Sequence, residues 1–188
     1  ETRWVTNAMG APASVVRTTY RTFGWGEGEV ERVVDPDGAA LTDTTSYTTQ
    51  GFVSCKVDAS GSWQRYEYNS TGMVVAVISS WKDMPTDAAA ETVRATYYDY
   101  TKVDEHETNF DYSTSAPSTV TEMVEGKVVG KTYFASYRNA AGGRVEIVEQ
   151  CIVATNAYGA ISNLRTIWEY NPESEGDPGS DRLKGVSY

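Results

Sequence analysis

Apolar and polar residues alternate with a period of two along most of this chain, the spacing that puts every second side chain of an extended strand on one face. The pattern runs through 14–23, 29–34, 51–57, 63–68, 74–81, 93–103, 118–124, 127–137, 144–154 and 160–170, in stretches of 6 to 11 residues. Each is bounded by Gly, Pro, Asp, Asn or Ser. The first and last residues also read as strand, which suggests a segment cut from a longer chain. Helical spacing is nearly absent. The Ala-rich stretch 85–94 predicts at most a turn or two of helix before the aromatic run Tyr97, Tyr98 and Tyr100.

The breaks carry turn chemistry. Asp35-Pro36-Asp37-Gly38 puts Pro where φ is preset and Gly at the fourth position, which favours a type I turn. Asp58 to Gly61, Asn69 to Gly72, Glu125-Gly126 and Ala140 to Gly143 repeat the idea. Strands joined at such short intervals pair antiparallel, because a parallel pair needs a long crossover. The prediction is an all-β chain of antiparallel hairpins forming a meander. No linker divides the 188 residues, so 1–188 reads as a single all-β segment.

Composition narrows the function. Thirteen Tyr, five Trp and four Phe among many Val and Thr suit a half-buried pleated surface. Sixteen basic against 26 acidic residues give a net charge of −10, which repels a phosphate backbone, and no basic stripe offsets it. Nucleic acid is therefore not an expected partner. No stretch approaches the roughly 20 apolar residues of a spanning helix, and membrane insertion is not expected. Cys55 and Cys151 lack metal-ligand spacing and are expected to be free, buried thiols, with a disulfide as the alternative.

The strongest unit starts at Gly61, runs through Tyr66-Glu67-Tyr68-Asn69 to Gly72, and continues as an apolar strand. It resembles the YD repeat of RHS-type proteins, although Asn69 stands where that family usually has Asp and Met73 where it usually has Arg. The segment 30–40, which contains Asp35, Pro36, Asp37 and Gly38, resembles the junction between such repeats. Tyr98-Asp99-Tyr100 and 167–188 read as eroded copies. The resemblance implies strands stacked as part of a hollow β-shell in a bacterial secreted or cell-surface protein. It further implies a structural role without catalysis or cofactor, and as partner the rest of a longer chain or another protein. Gly61, Tyr66, Tyr68, Asn69 and Gly72 then act as turn and packing elements. The alternative is a β-sandwich that binds carbohydrate or protein through exposed Trp and Tyr.

Candidate chemistry is sparse. Any triad would need the single histidine, His106, which lies in the polar run Asp104 to Glu107 and reads as a solvated loop. Gly24 to Gly28 precedes a strand pattern rather than a helix, so it reads as a hairpin loop and not as a phosphate cradle. Asn171, Glu173 and Glu175 before Gly176 are spaced like the start of a calcium loop, but Arg182 stands in place of the closing Glu, which leaves Glu173, Glu175, Asp177 and Asp181 as ligands only in a different geometry. An acidic turn is the expected reading. Trp25, Trp63 and Trp81 border turns and are the candidates for stacking on a sugar, against cross-strand packing as the plainer explanation. Asn69-Ser70-Thr71 matches a glycosylation acceptor, unused if the source is bacterial.

Overall fold

The computed structural model describes residues 1–6, 12–103, 116–172 and 183–187; His106 and the acidic stretch 173–181 lie outside them. The described residues form two compact units, Glu1–Ala89 and Ala90–Tyr188. Both are built of antiparallel strands, so the all-β expectation is met. The first holds β1 (Thr2–Thr6), β2 (Pro12–Phe23), β3 (Gly26–Val34), β4 (Leu41–Tyr47), β5 (Val53–Val57), β6 (Trp63–Tyr68) and β7 (Val74–Ser79). A single 3-10 turn at Ala90–Thr92 opens the second, followed by β8 (Arg94–Asp99), β9 (Thr119–Val124), β10 (Lys127–Arg138), β11 (Gly143–Gln150), β12 (Leu164–Pro172) and β13 (Leu183–Ser187).

Within each unit every strand pairs with its neighbour in sequence, so the order is linear and the connections are hairpins. A meander is what short turns allow. The sandwich alternative is not what forms, since neither unit divides into two facing sheets. Several spans differ from the periodicity. Leu41–Tyr47 is a strand although its interior is Thr, Asp and Ser, because the β-branched threonines and pairing to β3 and β5 suffice. The stretches read as 144–154 and 160–170 end earlier and start later than their apolar residues suggest, leaving a loop at 151–163.

In the first unit, alternation puts Trp63 and Arg65 of β6 on the same face as Ile78 of β7, which is fully buried. The segment after β7 crosses that face as a strap. Trp63 Nε1 donates to the Met84 carbonyl at 2.8 Å, and Arg65 Nη1 donates to the carbonyls of Thr86 at 2.8 Å and Ala88 at 3.3 Å. In this way the Ala-rich stretch is tied down without becoming a helix. In the second unit the row Ala135, Ile147 and Ile167 runs across β10, β11 and β12, and with Val145 it forms the core on one sheet face.

Candidate functional site

One backbone device recurs along the chain. At Asn69 to Met73 the Gly72 amide donates to the Asn69 carbonyl (3.0 Å) and the Asn69 amide to the Met73 carbonyl (2.9 Å). Asn69 Oδ1 accepts from the amides of Thr71 (3.0 Å) and Met73 (2.9 Å) and from the Thr71 hydroxyl. Asp58 to Ser62 and Asn139 to Gly143 repeat the same bonds with their own Asp and Asn. Thr48 to Phe52 repeats it with a hydroxyl, Thr48 Oγ1 accepting from the Phe52 amide at 3.2 Å. The first residue supplies the side-chain acceptor and the fourth is a glycine with φ between +83° and +93°. The device is a hairpin turn closed by a left-handed glycine.

Two of these turns, 21 residues apart by their glycines Gly51 and Gly72, share more than backbone. Each is preceded by a tyrosine whose hydroxyl reaches back to the preceding strand: Tyr47 donates to the Glu29 carbonyl and Tyr68 to the Val53 carbonyl, both at 2.8 Å. Burial pushes the Tyr68 phenol up, which keeps it a donor. Each glycine is covered by an aromatic ring from the previous turn at the same end of the strands. A Cβ on Gly51 would stand 2.8 Å from the Trp25 indole, and one on Gly72 would stand 2.7 Å from Phe52. Phe52 in turn stacks on Tyr68 with centroids 4.9 Å apart, and Trp25 packs on Phe23 and Tyr47. The repeat is thus tyrosine, acceptor, two residues, glycine, with a ring from the earlier turn laid over the glycine.

Four of the motif residues belong to this scheme. Gly61 and Gly72 have positive φ, Asn69 is the acceptor, and Tyr68 makes the cross-strand bond. Tyr66 points to the opposite face from Trp63 and Arg65, and its hydroxyl donates to Gln64 Oε1 at 2.7 Å. Asp35 to Gly38 closes as a turn, with the Gly38 amide 3.0 Å and the Ala40 amide 2.8 Å from the Asp35 carbonyl. There Asp35 itself takes the left-handed conformation (φ +54°), which Asp tolerates better than most residues, while Pro36, Asp37 and Gly38 do not.

Of the three tryptophans offered for ligand stacking, Trp63 and Trp25 pack inside the first unit. Trp63 is only 4% exposed and its indole nitrogen is bonded to the strap, so it presents no platform to solvent. Trp25 is half-buried between Phe23 and Gly51, and Trp81 is half-buried after β7. Cys55 and Cys151 are free and half-buried, one in each unit, and burial pushes both thiols up.

The second unit has a buried polar cluster that periodicity did not reveal. The row Tyr133, Glu149 and Arg165 runs across β10, β11 and β12. Glu149 is 1% exposed; its Oε1 accepts from the Gly159 amide and Asn163 Nδ2 at 2.6 Å each, and its Oε2 from Arg165 Nε at 2.8 Å. The Arg165 guanidinium lies 4.8 Å over Tyr158, and Tyr133 bonds the Asn156 carbonyl at 2.9 Å. These contacts pin the loop at 151–163 to the sheet. With every partner a loop or neighbouring-strand group, the carboxylate is a structural anchor.

No family model matches this chain, and no curated protein matches it. Among solved structures, a weak likeness extends to the crystal structure of TcdB2-TccC3-TEV. It covers 91% of this chain at 11% identity with a TM-score of 0.32, and this chain spans 12% of that chain's length.

Proposed function

We propose that this chain is an architectural segment of a bacterial secreted or cell-surface protein of YD-repeat type, in which serial hairpins build a β-sheet wall or contact surface and perform no catalysis. The observation that carries this reading is the repeated turn. Tyr47 to Gly51 and Tyr68 to Gly72 each combine a side-chain oxygen acceptor, a left-handed glycine and a covering aromatic ring, so that the ring of one turn packs onto the next turn at the same end of the strands. Such a unit buries its rings only against a neighbour, which is the logic of an array. The remainder of a longer chain, or another protein, is the partner that this logic requires.

The test is an insertion. Duplicating residues 52–72 immediately after Gly72 adds one whole two-strand unit and preserves both register and ring order. The duplicated protein is expected to melt cooperatively within a few degrees of the parent. Inserting residues 52–62 alone adds one strand, reverses the chain direction of everything after it, and is expected to abolish folding. If the whole-unit insertion also fails to fold, the array reading is wrong.

A further inference from the structure

The loop between β11 and β12 turns apolar side chains outward. Ile152 is 68% exposed, and Ile161 is 105% exposed, more open than in an extended peptide, so it stands on a convex tip. Val153 and Leu164, the latter at the foot of the loop, are exposed as well. Single exposed apolar residues are ordinary on a protein surface. Here several share one short loop, and from Gln150 to Leu164 the chain carries no charged side chain at all.

The loop is held in this shape. Asn156 Nδ2 donates to Ser162 Oγ at 2.9 Å and to Asn163 Oδ1 at 2.8 Å, which ties the arm carrying Ile152 and Val153 to the arm carrying Ile161. The Cys151 amide donates to the Lys131 carbonyl at 2.9 Å, and the Asn156, Ala160 and Asn163 amides donate to carbonyls within the loop. Glu149 fastens it from below through the Gly159 amide and Asn163 Nδ2. A slack loop could fold its isoleucines inward. This one is pinned with them facing water, and a buried carboxylate is committed to keeping it so.

Area, shape and charge select the partner. Ile152, Val153 and Ile161 together offer on the order of 400 Å² of surface, the size of the functional apolar patches found on monomers. Two copies meeting tip to tip would bury about twice that, short of the roughly 1,200 to 2,000 Å² of a stable interface. Another protein would need a hollow matched to the tip. A lipid headgroup layer closes around a convex apolar tip whatever its shape, and a loop without charges enters it without stripping water from an ion. The net charge of −10 disfavours an anionic surface. We propose that the loop at 151–163 seats the second unit on a zwitterionic lipid surface, with Ile152 and Ile161 entering the interfacial layer and the strands staying in water. Such docking is shallow and needs no spanning segment.

The experiment floats the 188-residue chain with phosphatidylcholine vesicles on a density gradient. The chain is expected to rise with the vesicles, and to do so less when part of the lipid is phosphatidylserine. Because Ile161 is fully exposed, Ile161→Asp is expected to melt with the parent while lowering the bound fraction about tenfold or more. Ile161→Trp is expected to strengthen binding severalfold, since indole favours the interfacial layer. Absence of flotation overturns the proposal, as does flotation indifferent to Ile161→Asp or a preference for the anionic vesicles. Sedimentation equilibrium without lipid supplies the remaining outcome: self-association abolished by Ile161→Asp, in a chain that does not float, would assign the loop to a second copy instead. The architectural reading stands or falls separately, on the insertion.

Discussion

Phe52 lies against Tyr68 with ring centroids 4.9 Å apart and planes 25° from parallel, and the same Phe52 ring closes over Gly72. One residue thereby joins two turns at the same end of the strands: it ends the turn of Gly51 and covers the turn of Gly72. Ring and glycine need each other, because any Cβ at Gly72 would displace the ring from the stack.

Gly72 and Gly61 allow this to be measured. Both have positive φ, +84° and +86°, yet a Cβ at Gly61 meets nothing within 4 Å whereas one at Gly72 stands 2.7 Å from Phe52. Gly61→Ala is expected to cost only the backbone strain, about 1 kcal/mol. Gly72→Ala should cost more, and the excess should vanish in a Phe52→Ala background. Urea denaturation of the four variants gives the comparison, and equal losses at the two glycines would remove Phe52 from over Gly72.

The turn at Asp58 makes stability depend on pH. The hydrogen bond from the Ser60 side chain, together with backbone amides of Ser60, Ser62 and Gly61, holds the Asp58 carboxyl below the usual carboxylate range. A depressed folded value means the folded state binds its proton later than the unfolded one as acid is added. The contribution is therefore complete above the unfolded pKa and is lost as pH falls through the folded one. Asp58→Asn, which copies the Asn69 turn, should match the parent at pH 7 and lose less stability in the acid range, as read by melting temperature against pH.

Glu149 should be the most sensitive carboxylate in the second unit. Glu149→Ala leaves the buried side of Arg165, Asn163 and the Gly159 amide without an acceptor, and is expected to cost about 3 to 5 kcal/mol. Glu149→Gln keeps an acceptor and should cost less. Amide exchange at 151–163 should accelerate in both, and protection unchanged in Glu149→Ala would contradict the anchoring role.

Arg65 should control the strap of the first unit. Arg65→Met keeps the aliphatic packing but removes the bonds to the Thr86 and Ala88 carbonyls, and is expected to cost about 1.5 to 3 kcal/mol. Limited proteolysis should then cut first within 82–89. A cut elsewhere, with this stretch still protected, would show that Trp63 alone fastens it.

The chain's own residues determined the strand class, the antiparallel pairing and most turns, because alternation, β-branched side chains and Asx-to-Gly spacing act over a few neighbouring residues. The turn at Asn69 to Gly72 was legible for that reason. Its twin at Thr48 to Gly51 was missed because a threonine hydroxyl stands in for the Asx oxygen; the common Tyr, three residues, then Gly is the signal that links them.

Only the tertiary structure decided which face each aromatic serves and which distant residues share a row. Trp63 looked exposed beside its turn but is buried, because residues more than twenty positions later fold back across it. Glu146 and Trp168 lie 22 positions apart in the chain and become neighbours only through the pairing of β11 with β12. Periodicity tells which residues share a face of one strand, whereas register between strands is set by the sum of packing on both faces. That sum exists only once the strands lie side by side.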